Sequence, residues 1–173
     1  MGICNSDYRS KYPNLTPILA ADTTLVRFDV QKKPRDNIHG TTFHTNRQTI
    51  ATKNSATFIR LFSKDFPWSI EIKSPTPITC EGVWDAVHDA LQQPIVDSEW
   101  ALILFDNDRK KIIETARAKR EGSDMSMKRI DWLGEQILFK GLEQDGEFQK
   151  ARLLPGAVSC PDTYLVKLEK PMT

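Results

Sequence analysis

The segment between Pro77 and Pro94 constrains this chain most, because its apolar residues recur only at helical spacing. Val83, Trp84, Val87 and Leu91 fall on one stripe of a 3.6-residue helix, with Ala86 and Ala90 beside it. Thr79 is the N-cap candidate, and Glu81 stands in the first turn, where the helix dipole favours an acid. Ile78 and Val83 occupy the two positions of a hydrophobic staple, and Pro94 stops the element. A helix with one such face needs an apolar surface to cover it.

Strand-like alternation supplies that surface on both sides. Val26, Phe28 and Val30 alternate with Leu25, Arg27 and Asp29, apolar residues crowd Ala56–Phe62, and Trp68, Ile70 and Ile72 alternate with Ser69, Glu71 and Lys73. After the helix, Ser98 is the candidate cap of a short helix through Leu104. A more polar helix fits Asp108–Arg120, with Ile112, Ile113 and Ala116 as its buried stripe and Gly122 as its C′ residue. Arg129–Leu133 and Ile137–Leu142 around Gly134-Glu135 predict a β-hairpin. Phe148–Leu154 predicts another strand, and Tyr164, Val166 and Leu168 the last. The order strands, helices, strands predicts an α+β fold: an antiparallel sheet with two or three helices inserted between N-terminal and C-terminal strands, packed on one face. Residues 1–23, broken by Pro13 and Pro17, read as a flexible N-terminal arm, and 24–173 as a single α+β domain. Residues 32–54 read as a long polar loop. Trp68, Trp84, Trp100 and Trp132 each sit in an apolar pattern and are assigned to the core.

From about residue 24 to 147 the chain resembles a family of basidiomycete fungal proteins classified only as a domain of unknown function. The resemblance is carried by Pro67-Trp68-Ser69-Ile70-Glu71-Ile72, by Thr79 with the helix through Trp84-Asp85, and by Leu91-Gln92-Gln93-Pro94-Ile95. Glu99-Trp100, Ala116-Arg117-Ala118-Lys119-Arg120, Arg129-Ile130-Asp131-Trp132-Leu133-Gly134 and Phe139-Lys140-Gly141-Leu142 complete it. The resemblance implies an α+β single domain and a fungal origin. It implies no reaction, since the family has no established catalytic residues.

The first six residues, Met1-Gly2-Ile3-Cys4-Asn5-Ser6, fit the N-myristoylation pattern Met-Gly-x-x-x-Ser/Thr. Acylation takes place on the α-amine of Gly2 after Met1 is removed. Cys4 lies close enough to take a palmitoyl group, and two chains anchor stably where one binds marginally. The bland alternative is a common Met-Gly start with an incidental cysteine. No run of 18 apolar residues and no secretory h-region is present. The three cysteines, widely spaced, suit a reducing compartment. The expected address is therefore the cytoplasm or the cytoplasmic face of a membrane.

Catalytic candidates are weak. Asp85 lies beside His88 and Asp89 at helical spacing, which suits either an oriented general base or an ordinary surface pair. Cys80 stands at a helix N-terminus, which lowers a thiol pKa, although such a cysteine is more often a small buried residue. His39, His44 and His88 match no standard metal spacing, and no nucleotide or hydrolase motif occurs, so neither metal nor cofactor is expected. Arg109, Lys110, Lys111, Arg117, Lys119, Arg120, Lys128 and Arg129 form a basic stretch. Interspersed acids favour a solvated helix face over a nucleic-acid interface, and the chain's net charge is only +1. The favoured reading is a non-catalytic intracellular interaction protein, lipid-anchored at a membrane. It would bind a protein partner through an exposed sheet edge or the 32–54 loop. The alternatives are an enzyme or small-ligand binder with a pocket between sheet and helices, and a nucleic-acid-binding module using residues 109–129.

Overall fold

The structure is a computed structural model and describes residues 9–120 and 122–172. Among the described residues it is a mixed α/β fold of five strands and seven helices, not the two or three helices expected, because the short helices Pro34–Asn37, Gly40–Asn46, Arg129–Trp132 and Gly146–Arg152 lie where the sequence predicts a loop and strands. In chain order these are β1 (Phe28–Asp29), α1 (Pro34–Asn37), α2 (Gly40–Asn46), β2 (Phe58–Phe62), β3 (Ile70–Lys73) and α3 (Cys80–Gln92). There follow α4 (Asp97–Leu102), α5 (Asn107–Lys119), α6 (Arg129–Trp132), β4 (Leu138–Glu143), α7 (Gly146–Arg152) and β5 (Thr163–Glu169).

The strands form one sheet in the order β1-β4-β5-β2-β3. The sheet is mixed, which corrects the expected antiparallel arrangement: β2 and β5 run parallel, with Leu61 opposite Tyr164. Residues 63–162 separate these two strands and hold most of the helices, the kind of long crossover a parallel pair requires. Ile59–Phe62 and Thr163–Val166 are buried without interruption. Strands covered on both faces lose their alternation, and they give no hint of a neighbour's direction.

α3 forms as its periodicity requires. Thr79 Oγ1 accepts from the Gly82 N–H at 3.2 Å, and Cys80, Val83, Trp84, Val87, His88 and Leu91 are buried. α4 begins at Asp97, and the Glu99 carboxylate reaches back to the Val96 N–H at 3.2 Å, so Ser98 is not its cap. Asp106 caps α5 through the Arg109 N–H at 2.8 Å.

Four further expectations are corrected. Residues 32–54 are not an open loop: they carry α1 and α2 and bury Ile38, Phe43, Ala51 and Thr52. Residues 129–133 are not a strand. They form the single turn α6, whose N-terminus is capped by Asp131 through the Lys128 N–H at 2.9 Å. Ile130, Trp132 and Leu133 are all buried; Ile130 and Trp132 alternate with Arg129 and Asp131 as in a half-buried strand, and a single turn is too short to show a helical period. Residues 148–154 likewise give helix α7, started by Asp145, whose carboxylate accepts from the Phe148 N–H at 3.0 Å. Residues 9–23 are not a free arm: Leu15, Leu19 and Ala20 belong to the core. Ala21 donates to the Leu142 carbonyl at 2.8 Å and Leu142 donates back to Leu19 at 2.7 Å, so the segment is stitched onto β4. Asn14 Nδ2 adds bonds to Asp162 and to the Tyr164 hydroxyl, at 2.9 and 2.8 Å.

Candidate functional site

Gly2 and Cys4 lie outside the described residues. The catalytic candidates all sit on α3 but do not converge. Cys80 and His88 are eight residues apart on the helix, about 12 Å along its axis. Cys80 is fully buried, and burial pushes its thiol up to about 12, the opposite of nucleophile activation. His88 Nδ1 meets the exposed Asp89 Oδ1 at 3.0 Å rather than Asp85. Burial, with the nearby Glu81 and Asp89 charges, raises the Asp85 pKa. His39 and His44 lie on and beside α2, and among the described residues no three His, Cys, Asp or Glu side chains gather at metal-binding distance.

Most of the basic stretch is turned inward. Arg120 grips Asp131 through Nε and Nη2 at 3.0 and 3.1 Å, and Asp131 is only 2% exposed. Arg129 pairs with the buried Glu99, and its guanidinium lies 4.9 Å from the centre of the Trp68 ring. Arg109 Nη1 donates to the Trp132 carbonyl at 3.0 Å while its guanidinium covers the Trp132 ring. Trp132 meets Trp68 edge-on at 5.7 Å, and Trp68 stacks on Phe66 at 4.9 Å. Two arginines thus bracket an aromatic cluster that joins α4, α5 and α6 to the sheet. Lys110 donates to the Leu104 carbonyl, Arg117 to Met125, and Lys128 pairs with Asp124. Among the described residues, the side chains of Lys111 and Lys119 alone of the stretch form neither a hydrogen bond nor an ion pair.

Those two lysines face a cleft of about 680 Å³. β2 and β5, being parallel, end on the same side of the sheet, and antiparallel β4 begins there. The cleft lies between that end of the sheet and α5. Ile112, Ala116, Leu133 and Gly134 are its apolar lining. Lys64, Arg109, Lys111, Lys119 and Lys170 contribute positive charge against Asp65, Asp108 and Glu135. Lys64 is held by Asp145 at 3.0 Å and Lys170 by Glu135 at 2.6 Å. Burial raises the Asp65 pKa, opposed by the Ser63 hydroxyl and the Arg109 charge. The sequence placed Ile112 in the core, yet it is 40% exposed in this cleft, and only Ile113 of that stripe is fully buried.

Beside the cleft, the turn from α4 to α5 exposes Leu102 at 66%, Leu104 at 58% and Phe105 at 92%. An open depression runs over these residues to Asp108, which also lines the cleft. This apolar knob had no sequence signal of its own. The sequence predicts a short helix through Leu104; of Leu102-Ile103-Leu104-Phe105 only Ile103 is buried.

Compared with known proteins, the chain matches a family of unknown function (DUF6699) over residues 26–150. No curated protein and no solved structure matches it. The matched span runs from two residues before β1 into α7 and includes the aromatic cluster, the cleft's helix and the knob. It covers well over half of the 173 residues, and the chain therefore belongs to this family of unknown function.

Proposed function

We propose that this chain is a non-catalytic interaction protein that docks a protein partner on the knob formed by Leu102, Leu104 and Phe105. The observation that carries this reading is the exposure of three large apolar side chains within four residues of one turn. Scattered apolar residues are normal on a surface, but a contiguous group marks an interface. Each such side chain gains about 1.5–3 kcal/mol when it is removed from water. Asp97, Asp106 and Asp108 flank the knob, and these charges disfavour insertion into anionic lipid. The sheet edge is a poorer docking surface: β3 is four residues long and carries Glu71 and Lys73. The inward-turned arginines and the buried Cys80 weaken the nucleic-acid and enzyme alternatives.

Acyl chains on Gly2 and Cys4 would hold the module at the cytoplasmic face of a membrane. The knob is tested by a photo-crosslinker introduced at position 105 in the native host. A discrete protein adduct is expected, and it should vanish when Leu102→Ser and Leu104→Ser are added without loss of folding. Absence of any adduct would sink the reading. Anchoring is tested separately, by intact mass and by membrane fractionation of Gly2→Ala.

A further inference from the structure

We infer that the cleft along α5 binds an acidic, extended segment of the partner whose apolar residues sit on the knob; the inference rests on the docking reading above. The first ground is shape. Asp108, Lys111, Ile112, Thr115, Ala116 and Lys119 recur at three- and four-residue spacing and so form one face of α5. From Asp108 to Lys119 that face runs about 16 Å. This length matches about five residues of extended chain. A groove of that form suits a peptide better than a compact small molecule.

The second ground is charge. The cleft lining carries two positive charges in excess, whereas the whole chain carries a net charge of +1. Lys111 and Lys119 are exposed and form no ion pair among the described residues, in a stretch whose other cations are bonded to the fold. Among the described residues, an incoming carboxylate has no ion-paired partner to displace at either lysine, and the nearby acid Glu135 is itself paired with Lys170. The apolar lining between the lysines gives a surface for the peptide's intervening side chains.

The third ground is continuity. Asp108 borders both the cleft and the knob, so one segment can cross from one to the other. Acidic side chains on that segment meet Lys111 and Lys119, the latter about 16 Å along α5 from Asp108.

The test is selection of a degenerate octapeptide library on the immobilised full chain, followed by titration of the best soluble peptide. Enriched peptides are expected to carry Asp or Glu in excess over Lys and Arg, with at least one large apolar residue. Lys111→Glu with Lys119→Glu should abolish the acidic bias and weaken the peptide about tenfold. Lys111→Arg with Lys119→Arg should preserve both. Circular dichroism of each variant excludes unfolding as the cause. A library without acidic enrichment, a bias that survives charge reversal, or a failure to enrich any peptide would overturn the inference. So would lysine-dependent binding of an RNA 20-mer that outcompetes the peptide. Phe105→Ser separates the two proposals. If it leaves peptide affinity unchanged while charge reversal removes it, the knob reading fails and the acidic groove stands. If Phe105→Ser removes binding and charge reversal does not, the groove fails alone.

Discussion

Asp131 shows how one side chain can hold several levels of the fold at once. Its carboxylate caps α6 and receives both Nε and Nη2 of Arg120 from the end of α5. Asp131→Asn would leave the half-buried guanidinium without its counter-charge. Breaking a buried pair on one side costs about 3–5 kcal/mol. Urea unfolding should show a loss of that size. A change below about 1 kcal/mol would mean that the pair is screened as surface pairs are. Two other groups make stability depend on alkaline pH. Burial pushes Cys80 from 9.0 up to about 12, and burial likewise raises Tyr164 from 10.0 to about 12. Above about pH 9 the unfolded chain loses these protons while the folded chain keeps them. The folded state then binds more protons, so stability falls as pH rises towards 12. The urea midpoint should decline between pH 8 and pH 11, and Cys80→Ala should flatten the part that begins near pH 9. An unchanged slope in that variant would contradict the buried thiol.

At the scale of elements, β4 depends on a bulge. Its register with β5 shifts between Phe139 and Leu142, and Gly141 there has φ +108°. A Cβ at Gly141 would lie 2.7 Å from the Ala21 Cα and 2.9 Å from the Leu19 carbonyl oxygen. Both are backbone atoms that cannot swing aside. Gly141→Ala is therefore expected to cost well over about 1 kcal/mol, and to loosen the 19–21 segment from β4. Hydrogen exchange at Ala21 and Leu142 measures this directly, and protection equal to wild type would refute it. α5 shows the opposite situation. Its pattern identified a helix correctly but did not say which of Ile112 and Ile113 is covered. Adjacent positions on a helix face directions about 100° apart, and only the neighbouring elements decide which direction is the interior.

For the whole molecule, the family match begins at residue 26, yet the fold begins earlier. Leu15, Leu19 and Ala20 are buried, and Asn14 bonds to Asp162 and Tyr164 across the chain. Removing the two leucines alone forfeits about 3–6 kcal/mol of burial. A domain of this kind has only about 5–15 kcal/mol in total. A chain starting at Thr24 should therefore lose most of its cooperative thermal transition. Calorimetry tests this, and a sharp transition within a few degrees of the full-length Tm would show that the segment is dispensable. The prolines at 13 and 17 suggested an arm because they exclude helix and strand. Irregular chain can still be core when its apolar residues are spaced to reach an existing sheet.

Local chemistry along the chain determined α3 with its cap, the strands β2, β3 and β5, the helix of α5 and the combination of one sheet with helices. Each of these rests on periodicity, a cap or a breaker within a few residues. Only the tertiary structure decided the parallel pairing of β2 with β5, the inward use of Arg109, Arg120 and Arg129, and the exposure of Ile112 and Phe105. The physical reason is the same in each case. A residue's type states what it can bond to or bury against, and contacts between residues distant in the chain select among those options. The cleft and the knob are products of that selection. Their lysines and apolar side chains carried no signal of their own until the fold bonded or buried their neighbours and left them exposed.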